Sequence, residues 1–111
     1  MTTVFQQIIE GKLPSKKVFE NEKILAIEDI RPIAPIHILI LPKKKIPDLQ
    51  SVAPEDLSLI TEIVHVAQLI AREKGIERGY RLVTNNGAQA GQEIFHLHFH
   101  LIGGKELGKI G

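Results

Sequence analysis

With 111 residues, 43% hydrophobic and 24% charged, the chain fits one globular domain spanning 1–111. A net charge of +1 gives no case for nucleic-acid or membrane-surface binding, and the lack of cysteine excludes disulfides and thiolate zinc sites. No apolar run approaches the roughly 18 residues of a membrane span, and no secretion signal is evident, so a cytoplasmic location is the default.

Thr2 and Thr3 can cap a short helix whose apolar edge is Val4, Phe5, Ile8 and Ile9, with Gly11 and Pro14 stopping it. Lys16 to Glu20 and Ile24 to Glu28 read as the strands of a hairpin around a polar turn. Asp29 to Pro35 is a loop stiffened by Pro32 and Pro35. Its Asp29 is either a ligand-holding carboxylate or a turn residue bonding its own backbone. The next strand, Ile36 to Leu41, ends at Pro42 and carries His37 among aliphatic neighbours. Lys43, Lys44 and Lys45 follow as a solvated guard of the sheet edge rather than an anion site.

Pro54 to Lys74 is the main helix, stopped by Gly75. Leu57, Ile60, Ile63, Val64, Ala67 and Ile70 share one face, and Leu59 and Val66 widen it. That arc exceeds what one small sheet covers and suggests a second contact, such as a homodimer interface. His65 falls on the polar face and reads as an ordinary exposed histidine. Tyr80 to Thr84 is a strand, and Asn85 to Gln92 is a loop of small and amide residues of the kind that lets backbone N–H groups approach an anion.

The last strand, Ile94 to Ile102, contains His96-Leu97-His98-Phe99-His100-Leu101-Ile102. Side chains alternate along a strand, so His96, His98 and His100 face one way and Leu97, Phe99 and Leu101 the other. Three aligned imidazoles admit three readings. They are a satisfied structural set, a His-x-His metal site, or a histidine nucleophile held neutral by its neighbours. Spacing alone does not choose among them. His37 fits beside the triad better than alone in the core.

This segment is similar to the histidine-triad signature, His-φ-His-φ-His-φ-φ with φ apolar, and the chain resembles the Hint branch of that superfamily. The resemblance runs from Phe5 to Gly104. It includes Ile8-Ile9-Glu10-Gly11-Lys12-Leu13-Pro14, Asp29-Ile30-Arg31-Pro32, Ala34 to Leu39, Pro42-Lys43-Lys44, Tyr80 to Val83 with Asn85, and Gly91-Gln92.

The resemblance implies an α+β fold, a five-stranded antiparallel sheet with two helices, dimerising into a ten-stranded sheet. It implies a purine nucleotide substrate (an AMP or GMP derivative) attacked at its α-phosphate, with no cofactor and no metal. His98 would be the nucleophile, His100 would contact the phosphate, and His96 and His37 would complete the histidine set. Asp29 would hold the ribose hydroxyls and Asn85 would lie at the phosphate, near Gly91 and Gln92. Val4, Phe5, Ile8, Leu13, Ile27 and Leu39 would line the base pocket. Glu93 stands where eukaryotic Hint proteins often have serine near the leaving group. A carboxylate there would repel an anionic leaving group or favour a cationic one. The tail after Gly104 also lacks those proteins' tryptophan-containing segment.

The leading expectation is therefore a nucleoside phosphoramidase. A dinucleoside polyphosphate hydrolase and a nucleotide-binding regulatory module with little catalysis are the alternatives, and zinc catalysis stands behind them.

Overall fold

The computed structural model describes residues 2–110; Met1 and Gly111, the ends of the expected 1–111 domain, lie outside the described residues. Helix α1 spans Val4–Ile9, and its cap is Thr3, whose hydroxyl accepts from the Gln6 N–H at 3.0 Å. Strands β1 (Lys17–Glu20), β2 (Ile24–Glu28) and β3 (Ile36–Pro42) form a meander. Helix α2 (Leu57–Glu73) follows a single 3₁₀ turn at Pro54–Asp56, and then come β4 (Tyr80–Val83) and β5 (Phe99–Gly103). The sheet order is β1-β2-β3-β5-β4, every neighbouring pair antiparallel. This is the expected α+β architecture of five strands and two helices.

Strand alternation sorts the core into two faces. Ile24, Ala26, Ile38, Ile40, Leu97, Phe99 and Leu101 pack with the α2 residues Leu59, Ile63, Val66, Ala67 and Ile70. Leu25, Ile27, Leu39 and Leu41 point the other way and pack with Phe5 and Ile8 of α1. A one-residue slip would exchange the two sets and put α1's contacts on α2's face, so the register is strongly specified. Lys43 and Lys44 bond Glu20 and Asp56, each at 2.7 Å, but they follow β3, which is paired on both sides, so the expected guard of a sheet edge is not what they form.

Two further expectations are corrected. The buried stripe of α2 is Leu59, Ile63, Val66, Ala67, Ile70 and Ala71, whereas Leu57 and Val64 are 53% and 39% exposed. The helix is rolled so that its small residue Ala71 lies against the interior and the Leu57–Val64 edge faces outward. The last strand begins at Phe99, not Ile94. Its ladder with β3 runs from Ile36↔Gly103 to Ile40↔Phe99 and stops short of Pro42, which has no N–H to offer. The chain bends through residues 94–96, and Leu97 instead donates its N–H to Ile46 O at 2.7 Å, which ties the segment down without a ladder.

Candidate active site

β5 and the segment before it, which bends through residues 94–96, carry the three histidines on the face away from α2. The Phe5 ring of α1 meets His96 and His98 edge-on, with ring centroids 6.3 and 4.8 Å away. His98 and His100 stand with centroids 5.2 Å apart.

A carbonyl can only accept, which assigns two of the protons. His98 Nδ1–H donates to the His96 carbonyl at 2.7 Å, so its Nε2 holds the free lone pair. His96 Nε2–H donates to the Pro42 carbonyl at 2.7 Å, and that ring is 1% exposed. Thr84 fixes the same stretch from the other side, its hydroxyl donating to the His98 carbonyl at 2.8 Å.

His37 reaches the triad from β3. Its Nε2 lies 2.9 Å from His100 Nδ1 and 3.3 Å from Asp29 Oδ2, and its Nδ1 accepts from the Ile33 N–H at 3.1 Å. The donor atoms of Asp29, His37 and His100 all lie within 4.8 Å of one another, the one such three-residue grouping among the described residues that could hold a metal ion.

Burial lowers the pKa of His98 below the ordinary 6.5, outweighing its bond to the His96 carbonyl and the charge of Asp29. His100 is lowered to about 4, first by burial and then by the charges of His98 and His37. His96 is lowered by burial, against the pull of the Pro42 carbonyl. Crowding of imidazoles thus contributes, but desolvation leads.

His98 and His100 open on a cleft of about 310 Å³. Val4, Phe5, Ile8, Ile27 and Leu39 supply its apolar wall, and Asp29, Asn85, Gly91, Gln92 and Glu93 its polar rim. Glu28, Ile30 and Ile94 also line it, although sequence reasoning did not single them out. Their adjacency to Asp29 and Glu93 was the available signal.

Leu13, expected in the base pocket, does not line the cleft. The chain turns through Gly11 (φ +79°) and folds back on α1, where the Leu13 N–H bonds Gln7 O at 3.3 Å, leaving the side chain 37% exposed. His37 and His96 stand behind the wall rather than in it. Gln92 faces inward and is 5% exposed. Its amide donates to the Pro47 and Ile94 carbonyls at 2.8 and 3.1 Å and accepts from the Gly87 N–H at 2.8 Å. These bonds pin the 85–94 wall. Among the cleft-lining residues there is no lysine or arginine, whereas Glu28, Asp29 and Glu93 bring three carboxylates.

A family model described as the HIT domain matches residues 10–107. An uncharacterized HIT-like protein of Chlamydia muridarum is 53% identical over 110 residues, covering 99% of this chain and 87% of that protein. Among solved structures, a HIT family hydrolase from Legionella pneumophila superposes with a TM-score of 0.92 at 42% identity, covering 95% of each chain. A HIT family hydrolase from Clostridium thermocellum superposes with a TM-score of 0.93 at 42% identity, covering 97% of this chain and 95% of its own.

Proposed function

The chain belongs to the HIT domain family, and from that premise we propose that it hydrolyses purine nucleoside phosphoramidates at the α-phosphate through a nucleotidyl intermediate on His98. The observation that carries this reading is the free Nε2 lone pair of His98, left by the Nδ1–H bond to the His96 carbonyl, at the wall of a nucleotide-sized cleft. Burial keeps that imidazole neutral, as a nucleophile must be. The description of solved relatives as hydrolases supports water as the final acceptor.

In the first step His98 Nε2 attacks phosphorus, the P–N bond breaks, and the leaving nitrogen takes a proton from solvent as the amine departs. In the second, water adds at phosphorus and gives up a proton to solvent, the P–Nε2 bond breaks, and AMP or GMP leaves with His98 restored. His100 and Asn85 donate to the phosphate oxygens, where charge develops. Asp29 accepts from the ribose hydroxyls. A carboxylate has about four lone-pair sites, and its Oδ1 and Oδ2 are only partly used by the Arg31 N–H and His37. Val4, Phe5, Ile8, Ile27 and Leu39 take the base. The scheme needs no metal, because imidazoles supply both nucleophile and donor.

The cleft's charges support a phosphoramidate over a dinucleoside polyphosphate. A lining that carries Asp29 and Glu93 and no lysine or arginine, with Glu28 already paired to Lys16 at 3.4 Å, disfavours a chain of ionised phosphates and tolerates a single one. The same reading includes a homodimer with a ten-stranded sheet. β4 is an edge strand with unpaired backbone groups, and Leu57 and Val64 leave an apolar edge of α2 exposed.

The test is hydrolysis of an adenosine 5′-phosphoramidate of a lysine-like amine in excess chelator, for the wild type and His98→Ala. Turnover that vanishes in the variant, with an adenylyl adduct in the intact mass of the wild type, supports the proposal. A wild type that binds AMP but turns nothing over sinks it. Loss of wild-type turnover on chelation points instead to metal catalysis.

A further inference from the structure

We propose that the main-chain N–H of Ile33 is a positioning group that sets the tautomers of His37 and His100. It makes His37 and His100 a donor relay to the cleft, with Asp29 a second acceptor of the His37 Nε2–H, rather than making the three a site for a divalent cation.

Neutral imidazole carries one N–H. His37 Nδ1 accepts from the Ile33 N–H at 3.1 Å, so the proton of His37 sits on Nε2. That Nε2–H faces His100 Nδ1 at 2.9 Å and Asp29 Oδ2 at 3.3 Å. His100 Nδ1 is then an acceptor, and the proton of His100 sits on its own Nε2. One amide, four residues upstream of His37, thereby turns the far nitrogen of His100 into a donor.

The opposite tautomer would do harm. A proton on His37 Nδ1 would confront the Ile33 N–H and turn a lone pair toward His100. His100 would then take its proton on Nδ1 and present a lone pair to an anion in the cleft. The lock also acts on the metal-competent cluster. A cation there needs lone pairs on both His37 Nε2 and His100 Nδ1, and the lock puts a proton between them.

The loop is built to hold that amide. Asp29 Oδ1 accepts from the Arg31 N–H at 2.8 Å, and the Asp29 N–H donates to His37 O at 3.0 Å. Pro32 and Pro35 flank the short segment. The Ile33 side chain is 62% exposed, so its contribution here is its backbone rather than its apolar surface.

The tautomers are argued from the hydrogen-bond geometry alone; only the donation to a phosphate rests on the phosphoramidase reading. The experiment therefore needs no substrate. Long-range ¹H–¹⁵N imidazole spectra of the full chain at neutral pH are expected to show His37 and His100 as Nε2–H forms. Zinc chloride is then titrated into wild type, Ile33→Ala, which keeps the N–H, and Ile33→Pro, which removes it. The His37 and His100 signals of wild type and Ile33→Ala should respond to zinc alike and weakly. Ile33→Pro should lose the Nε2–H preference and bind zinc roughly tenfold tighter or more. Should Ile33→Pro fail to fold, the wild-type spectrum still decides. His37 or His100 in the Nδ1–H form, or an Ile33→Pro variant that keeps the wild-type tautomers, overturns the proposal. Correct tautomers in a protein without phosphoramidase turnover would sink the functional reading and leave the lock standing.

Discussion

At the cleft histidines, desolvation outweighs the attractions that would hold a proton, and this sets how the protein should respond to pH. As the proposed nucleophile, His98 would attack only when neutral. Its lowered pKa then predicts activity at neutral pH that is lost as pH falls through a value below 6.5. A pH profile of kcat/KM should be flat from about 7 to 8, with its acid limb below the ordinary imidazole range. Stability should follow the same sign. The unfolded chain binds protons below 6.5 that native His96, His98 and His100 refuse, so stability falls from pH 6.5 toward about 4. Glu20, lowered to about 2 by its bonds to Lys43 and Lys17, loses its contribution only below 4.5. Urea midpoints between roughly pH 7 and 5 should therefore drop on account of the histidines; an unchanged midpoint would mean they titrate normally. Glu93 is the other residue with a readable effect. It is exposed at the rim, where charges act through water. Glu93→Gln should lower the kcat/KM ratio of a cationic over an isosteric neutral leaving amine by roughly threefold at low salt. An unchanged ratio would separate Glu93 from leaving-group choice.

Among the elements, the wall at 85–94 depends on one buried amide. Gln92→Leu strands the Gly87 N–H and two carbonyls at once. We expect a loss of about 2–4 kcal/mol in denaturant melts, together with lower kcat/KM as Asn85 and Glu93 lose their footing. A variant as stable as the wild type would show that water replaces the amide. The same region marks a limit of sequence reading. Alternation through Ile94 to Ile102 reports which way each side chain faces, and Leu97, Phe99 and Leu101 do pack on α2 while the histidines face Phe5. It does not report where the ladder ends, because that depends on Pro42 in a strand more than fifty positions earlier. The α2 stripe shows a similar limit. Its periodicity was plain, but the roll that buries Ala71 and exposes Val64 follows from the sheet beneath it.

For the whole molecule, the open β4 edge and the exposed Leu57–Val64 edge of α2 motivate the dimer. Sedimentation should give about twice the 12.4 kDa chain mass at micromolar concentration. Val64→Glu should shift it toward monomer if that edge is part of the interface. A wild type sedimenting at the chain mass would remove the ten-stranded sheet from the reading.

The individual strands and helices and the histidines' common face follow from the sequence itself, through local periodicity and turn residues whose effect reaches only a few positions. The fold class came from the resemblance to the histidine-triad family, and the two-faced partition of the core from the sheet. Of the candidate site, the triad and His37 were legible from the residues themselves; Asp29, Asn85 and the apolar pocket residues were picked out by the resemblance to the family. The protons and the cleft were not. His96 finds its acceptor in Pro42 and His100 meets His37 across 63 residues, so only folding decides which nitrogen donates. Leu13's absence from the cleft, Gln92's inward amide and the Ile33 lock belong to the same class. Each is a hydrogen bond or a turn whose partner the tertiary structure chooses.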